Sequence, residues 1–178
     1  MALLAVAPFI AMAATPEALC AACHGPQGNS TNPAVPSLAG QPKQFITTQL
    51  IMFRLDNRKD AQMSPIAAGL SDKDINDFGT YFAAQVPASP ASPGDAATVA
   101  EGRRLAERYN CVQCHGPELK GQQHIPRLAD QQAAYLATQL RGFKAQTRFD
   151  MDGVMTSAAQ PLSEKDIETL ATYLSGLR

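Results

Sequence analysis

Two short cysteine–histidine motifs are the parts of this sequence whose residue types and spacing can do chemistry. They are Cys20-Ala21-Ala22-Cys23-His24 and Cys111-Val112-Gln113-Cys114-His115. Two cysteines one helical turn apart can form thioether bonds to the vinyl groups of a haem, and the histidine that follows can ligate the iron. All four cysteines of the chain belong to these motifs. The sequence therefore predicts two covalently bound c-type haems.

Three other uses of paired cysteines fit the sequence less well. The cysteine pairs of zinc ribbons usually lie roughly 15 to 20 residues apart, whereas these pairs are separated by most of a domain. A thioredoxin-type redox pair needs a strand–helix–strand context. Disulfides in an exported protein do not explain a histidine directly after each pair. Haem attachment remains the interpretation that uses every residue of both motifs.

The chain repeats itself once, in a register that runs through its whole length. Cys111 lies 91 residues after Cys20, and Leu162 lies 92 residues after Leu70. Between these points, Pro36-Ser37-Leu38-Ala39 recurs 90 residues later as Pro126-Arg127-Leu128-Ala129. Only one- and two-residue insertions separate the copies. The repeat predicts a duplicated domain.

Helical signals and a proline-rich segment set the expected organisation. Residues 85–94 contain three prolines, which favour extended backbone and predict a linker between a first domain at 14–84 and a second at 95–178. Ser71 and Ser163 each precede an aspartate by three positions, which predicts a capping box at a helix start. No alternating run is long enough for a strand, so we expect an all-α fold of two tandem haem domains.

Each iron needs a second axial ligand, and the repeat supplies a methionine in matching position. Met63 follows His24 by 39 residues, and Met155 follows His115 by 40. A thioether ligand stabilises ferrous over ferric iron and is typical of electron-transfer haems. With both axial positions filled, neither iron has an open site for a substrate. We therefore expect an electron carrier and not an enzyme.

Three other residues compete for the axial positions. Met52 lies in an apolar helical run and is expected to pack in the core. Met151 has no counterpart in the first copy. His124 is the one histidine outside the motifs; it matches Ala34 in the repeat, cannot serve both haems, and is expected at the surface.

The first fourteen residues, MALLAVAPFIAMAA, are apolar and uncharged, as in the apolar region of a signal peptide. They are too few to cross a hydrocarbon core of about 30 Å as a helix. Ala11-Met12-Ala13 fits the small-x-small cleavage rule. We expect residues 1–13 to be a cleaved signal segment and the protein to be exported to the periplasm. Because no basic region precedes the apolar run, a retained helix that packs on the first domain is the alternative.

Composition and charge exclude other classes of protein. Apolar residues make up 45% of the chain and charged residues 17%, which is typical of a globular protein. The formal net charge is −1, and no run rich in lysine or arginine occurs. A nucleic-acid partner is therefore not expected.

Several of these motifs together resemble the cytochrome c4 family, which are periplasmic dihaem proteins built from two class I cytochrome c domains. The resemblance covers essentially the whole mature chain, and the segments that carry it are the two Cys-x-x-Cys-His-Gly-Pro motifs, the Pro-x-Leu-Ala stretches, the two Thr-Gln-Leu segments, Met63-Ser64, Met155-Thr156 and the two Leu-Ser-x-x-Asp-Ile segments. It implies that Pro36 and Pro126 offer backbone carbonyls to the ring N–H groups of His24 and His115. It also implies haems that face each other across a domain interface.

By the same resemblance, the expected role is to carry electrons from a quinol-oxidising donor complex to a terminal haem-copper oxidase. These partners would bring the protein to the outer face of the inner membrane. One difference between the copies favours an alternative: a helix from Val99 to Tyr109 precedes the second motif, whereas only Ala14 to Leu19 would precede the first after cleavage. A shortened first helix is similar to the dihaem subunits of sulfide-oxidising flavocytochromes, so an electron-accepting dehydrogenase subunit is the second hypothesis. A dihaem peroxidase would need one iron without methionine.

Overall fold

A computed structural model describes residues 15–88 and 94–177 of the chain. The predicted signal segment, residues 1–13, lies outside the described residues, as does the middle of the predicted linker. Every regular element in the described ranges is helical, apart from one isolated bridge between Gln122 and Ile125. The predicted all-α fold is confirmed.

Among the described residues, the first domain contains four α-helices and one short 3-10 turn. They are α1 (Pro16–His24), the 3-10 turn Pro26–Gly28, α2 (Lys43–Arg54), α3 (Met63–Ala68) and α4 (Asp72–Ala83). Helix α2 packs against both α3 and α4, and α1 contacts α4. Ile46 from α2 meets Ile75, Phe78 and Phe82 from α4 in the buried core of this domain.

The second domain repeats this plan with one additional helix. Its helices are α5 (Ala96–Arg108), α6 (Cys111–His115), α7 (Ala133–Lys144), α8 (Val154–Ala159) and α9 (Glu164–Ser175). Helix α9 packs against both α5 and α7. Leu105 from α5 and Leu136 from α7 join Ile167 and Leu170 from α9 in the core. The helix predicted ahead of the second motif is therefore present.

The last helix of each domain begins at the predicted capping box. The Ser71 hydroxyl accepts the N–H of Asp74 at 3.1 Å, and the Asp74 carboxylate accepts the N–H of Ser71 at 3.0 Å. Ser163 and Asp166 form the same pair of bonds, also at 3.1 and 3.0 Å. These bonds satisfy N–H groups that the first turn of a helix leaves without a partner. They fix where α4 and α9 start.

A glycine directly after each motif histidine ends the helix that carries it. Gly25 has φ +76° and Gly116 has φ +82°, a region that residues with a Cβ rarely adopt. At Gly25 a Cβ would lie 2.1 Å from the Asn29 carbonyl oxygen. The chain therefore turns away at once and leaves the histidine at the end of its helix. None of the described helices is both long and apolar enough to cross a membrane.

Candidate haem-binding sites

The two motif histidines are buried and held in the same way. His24 is 7% exposed and His115 is 3% exposed. The Nδ1 atom of His24 lies 2.8 Å from the Pro36 carbonyl oxygen, and Nδ1 of His115 lies 2.8 Å from that of Pro126. A carbonyl oxygen can only accept, so Nδ1 carries the proton and donates it. In each ring the lone pair is then on Nε2, the atom that can ligate iron.

Burial also keeps both imidazoles neutral. Desolvation lowers the pKa of His24 and of His115, and the bond to the proline carbonyl opposes this shift without cancelling it. A metal ligand must be the neutral imidazole, so the shift favours coordination. The role that the resemblance implied for Pro36 and Pro126 therefore agrees with the bonds in the structure.

The motif cysteines lie on the same short helices as the histidines. Cys20 and Cys111 are half-buried against the cores of their domains, and Cys23 and Cys114 are exposed. Burial raises the pKa of the Cys111 thiol. Each helix thus presents two thiols, one turn apart, next to an imidazole with an available Nε2.

A cleft in the first domain borders α1, the helix that carries the first motif. Its volume is about 750 Å³, and Cys23, Val35, Asp60 and Gln62 are among the residues that line it. This volume is within the usual range for cofactor sites, which is about 300 to 1,000 Å³. The cleft connects the attachment motif with the segment that leads into α3.

The two predicted methionine ligands lie in the first turns of two short helices, α3 and α8, and an aspartate binds each of these turns. The Asp60 carboxylate accepts the N–H of Met63 at 2.9 Å, and the Asp150 carboxylate accepts the N–H of Met155 at 2.8 Å. Both methionines are half-buried, and Met155 packs on the same core as Cys111. A short aspartate-held turn therefore fixes the backbone of each methionine.

The three alternative candidates for the axial positions are either buried in a core or exposed at the surface. Met52 is buried in the first domain, where its sulfur lies 3.8 Å from the Gln49 amide nitrogen. Met151 is 76% exposed. His124 is exposed, as the sequence predicted.

Two arginines from equivalent positions meet where the domains contact each other. Arg58 lies over the Phe53 ring at 4.5 Å, and Arg148 lies over the Phe143 ring at 4.4 Å. Arg58 also donates to the Tyr135 hydroxyl at 3.1 Å. Desolvation raises the pKa of this tyrosine, but the two guanidinium groups outweigh it and the net shift is downward. The two guanidinium groups therefore favour the ionised form of Tyr135, against the opposing charge of Asp60.

Arg148 leaves one polar atom of this cluster unsatisfied. Within the part of the chain that the structure describes, its Nε is buried and has no hydrogen-bond partner. Desolvation, together with the charge of Arg58, lowers the pKa of Arg148 to about 10. The Asp150 carboxylate opposes this shift, and the buried Nε of Arg148 is a donor that a further anionic group could satisfy. A haem carries two carboxylates, the propionates, so this cluster fits one edge of the predicted cofactor.

The donor set therefore fits a covalently attached haem in each domain. Cys20 and Cys23 with His24 would hold the first haem, and the three equivalent residues Cys111, Cys114 and His115 would hold the second. Iron bound in this way cycles between the ferrous and ferric states and so carries one electron per haem. Fold and motifs together define a dihaem c-type cytochrome with two class I cytochrome c domains.

Comparison with known proteins identifies the family. The "Cytochrome c" family model matches residues 99–178, and the model for "Cytochrome C oxidase, cbb3-type, subunit III" matches residues 9–81. Cytochrome c4 from Thiocapsa roseopersicina is 38% identical over 89% of this chain and 87% of its own length. The crystal structure of reduced recombinant cytochrome c4 from Pseudomonas stutzeri has a TM-score of 0.84, 34% identity, and coverage of 90% of this chain and 94% of that one. The chain belongs to the cytochrome c4 family.

A protein with another described role is also similar. The "Thiosulfate dehydrogenase electron acceptor" of Thiomonas intermedia (strain K12) is 36% identical over 95% of this chain and 83% of its own length. Like its relatives, this chain is a dihaem electron-transfer protein that binds two c-type haems.

The polar residues around these sites were not predicted from the sequence. Asp60 and Asp150, Arg58 and Arg148, and Gln41 and Gln131 are the three pairs concerned. Each pair is separated by 90 residues, the same offset as the two prolines. The signal that predicts all three pairs is an identical polar residue at the same position of both copies of the repeat.

Proposed function

We propose that this protein is a periplasmic electron carrier that accepts electrons from a respiratory donor complex and passes them to a terminal haem-copper oxidase. We further propose that Met63 and Met155 are the second axial ligands and that the protein catalyses no reaction of its own. One repeated arrangement carries this proposal: a buried histidine bonded to a proline carbonyl, with a methionine at an aspartate-held helix start in the same domain.

The absence of catalysis follows from ligand saturation. An iron that is held by histidine and methionine has no position for peroxide, oxygen or another substrate. Methionine ligation also raises the reduction potential, because the sulfur stabilises the ferrous state. High-potential haems suit the late part of a respiratory chain.

The ligand assignment is tested by optical spectra of the ferric protein. Met63→Ala and Met155→Ala should each remove about half of the sulfur-to-iron charge-transfer absorption, since each removes one of two such ligands. Met151→Ala is the matched control, because this side chain is 76% exposed and should leave the absorption unchanged. An unaltered spectrum in either ligand variant would show that another residue holds that iron.

The partner assignment is tested with membranes. The purified protein should be reduced by membranes that oxidise quinol and reoxidised by membranes that contain a haem-copper oxidase. Failure to exchange electrons with either kind of membrane, in a protein that carries both haems, would exclude the carrier role.

Export and processing require a separate test. We propose that residues 1–13 are removed and that residues 14–84 and 95–178 form the two domains on either side of a linker at 85–94. Amino-terminal sequencing of the protein from a periplasmic fraction should then begin at Ala14. Recovery from the cytoplasm with Met1 still present would contradict the proposal.

A dehydrogenase partner is the second candidate function. It is favoured by the relative described as a thiosulfate dehydrogenase electron acceptor. Within the described residues α1 is the first helix and starts at Pro16, and none of them forms a counterpart of α5 in the first domain, so a partner could cover this side. Reduction of this protein by a thiosulfate dehydrogenase faster than by quinol-oxidising membranes, with both proteins eluting together in gel filtration, would favour this candidate over the first.

A further inference from the structure

Two buried glutamines connect the domains in a reciprocal way. The Gln131 Oε1 accepts the backbone N–H of Ser37 at 2.8 Å, and its Nε2 donates to the Ser37 carbonyl at 2.9 Å. The Gln41 Oε1 accepts the backbone N–H of Arg127 at 3.0 Å, and its Nε2 donates to the Arg127 carbonyl at 2.9 Å. Gln41 is 3% exposed and Gln131 is 5% exposed. Each carboxamide therefore binds the backbone of the opposite domain in the same two-bond manner.

The backbone that each glutamine binds is the backbone that holds the opposite histidine. The N–H of Ser37 belongs to the same peptide group as the carbonyl of Pro36, which accepts from Nδ1 of His24. The N–H of Arg127 shares its peptide group with the carbonyl of Pro126, which accepts from His115. A continuous chain of hydrogen bonds thus runs from a glutamine of one domain to the proximal histidine of the other.

We propose that each glutamine is a positioning residue that tunes the haem of the opposite domain. When Oε1 of Gln131 accepts the Ser37 N–H, it polarises the peptide group and makes the Pro36 oxygen a stronger acceptor. The oxygen then draws the Nδ1 proton of His24 more strongly, and the imidazole becomes a better electron donor to iron. A better donor stabilises the ferric state and lowers the potential of the first haem. Gln41 does the same for the second haem.

The inference rests on the proposed function in one respect, namely that His24 and His115 ligate the irons. Burial strengthens the effect, because polarisation through hydrogen bonds is larger where water is excluded. Its distinguishing feature is that the effect is crossed: a substitution in one domain changes the haem of the other. A glutamine that only joins the domains would not produce this pattern.

Gln132 provides a matched control, because it follows Gln131 directly and precedes the first residue of α7. Its Nε2 donates across the domain boundary to the Ser30 carbonyl at 2.5 Å. The peptide groups of Ser30 are not those that bond to either histidine. Removing the Gln132 carboxamide therefore costs an inter-domain hydrogen bond but leaves both Gln–peptide–histidine chains intact.

The experiment compares Gln131→Met, Gln41→Met and Gln132→Met in the dihaem protein by spectroelectrochemical titration. Methionine keeps the length of the side chain and removes the carboxamide. Gln131→Met should raise the midpoint potential of the first haem alone, and Gln41→Met that of the second haem alone. Gln132→Met should shift neither. Each potential is first assigned with Met63→His and Met155→His, because a second histidine lowers the potential of its own haem.

A second measurement follows the hydrogen bond itself. In the ferrous protein, the proton NMR signal of His24 Nδ1–H should move upfield in Gln131→Met, and that of His115 Nδ1–H in Gln41→Met. If either methionine variant does not fold, the shorter amide in Gln131→Asn or Gln41→Asn should break the same bond with the same sign.

Three results would overturn the inference. They are an equal shift of both haems in either variant, a shift as large in Gln132→Met, and no shift in the opposite haem. Failure of the underlying assignment has a different signature, because a wild-type protein without histidine-ligated low-spin haems would show it before any glutamine is changed.

Discussion

The two domains hold their ligand residues alike but support them differently. In the second domain, α5 precedes the motif and packs along α9, whereas in the first domain the described chain enters α1 at Pro16, and α1 itself carries the motif. The histidine Nδ1 nevertheless lies 2.8 Å from its proline carbonyl in both. The orientation of each histidine therefore depends on contacts that both copies share and not on the helix before the motif. The preceding helix serves the stability of its domain.

A substitution at the contact between α5 and α9 should have the largest effect on the difference in support between the two domains. Gly102 lies so close to α9 that a Cβ there would be 2.2 Å from Cβ of Tyr173. Gly102→Ala should force the two helices apart and lower the stability of the second domain by about 1–3 kcal/mol, although alanine favours the helix itself. Hydrogen exchange of α9 amides should report this loss, while exchange in α4 stays unchanged.

The matched control lies on the exposed side of the same helix. Arg103→Ala changes a solvent-exposed residue of α5 and should leave exchange in both helices as it was. An equal loss in α4 and α9 for Gly102→Ala would contradict the view that α5 stabilises only its own domain.

The capping boxes are contacts that both domains share, so their loss should lower the stability of each domain by the same amount. Ser71→Ala and Ser163→Ala should each cost about 1 kcal/mol, because the bond lengths of the two caps are the same. The loss should appear in α4 for the first variant and in α9 for the second, by hydrogen exchange. Thr80→Ala and Thr172→Ala, which occupy equivalent interior positions of these helices, should have smaller effects. Unequal costs for the two serines would mean that the two caps depend on their surroundings, such as the bond from the Tyr109 hydroxyl to the Asp166 carboxylate in the second domain.

A tyrosine present in only one copy gives a smaller asymmetric effect. The Tyr109 hydroxyl donates to the Asp166 carboxylate at 3.0 Å, whereas the equivalent residue of the first domain is Ala18. Tyr109→Phe should cost about 0.5–1 kcal/mol in the second domain, since the bond is partly exposed. Urea unfolding followed at the second haem should show the loss. A change at the first haem of the same size would contradict it.

Much of the fold could be predicted from patterns that repeat in the sequence, whereas the contacts between the domains could not. The capping serines predicted the starts of α4 and α9, and the apolar helical run around Met52 predicted α2, because amphipathic periodicity and caps are local. The cysteine, histidine and methionine positions came from the register of the repeat. Contacts across the domain boundary could not be predicted, because the chemistry of Gln41 or Arg58 does not indicate which backbone or ring it will meet.

The smallest difference in stability that we expect concerns one turn position, which is occupied by glycine in the first domain and by aspartate in the second. Gly40 and Asp130 both have left-handed backbone, with φ of +65° and +62°. At Gly40 a Cβ would lie 2.7 Å from Cγ of Pro87, so the linker excludes a side chain there. Asp130 has room for one, but desolvation raises the pKa of this carboxyl to about 6, against the opposing charge of Arg127.

This shift makes the second domain slightly less stable as the pH rises. The folded protein holds the Asp130 proton up to about pH 6, while the unfolded chain releases it near 3.8, so the free energy of unfolding falls between these values and stays reduced above them. Because the carboxyl is only partly buried and water screens its charge, the loss should be under about 1 kcal/mol. Asp130→Asn should therefore stabilise the protein at pH 7 and not at pH 3.5, as measured by urea unfolding. Asp56→Asn, at another left-handed aspartate, is the control. A stabilisation by Asp130→Asn that is independent of pH would assign the effect to backbone strain and not to the buried charge.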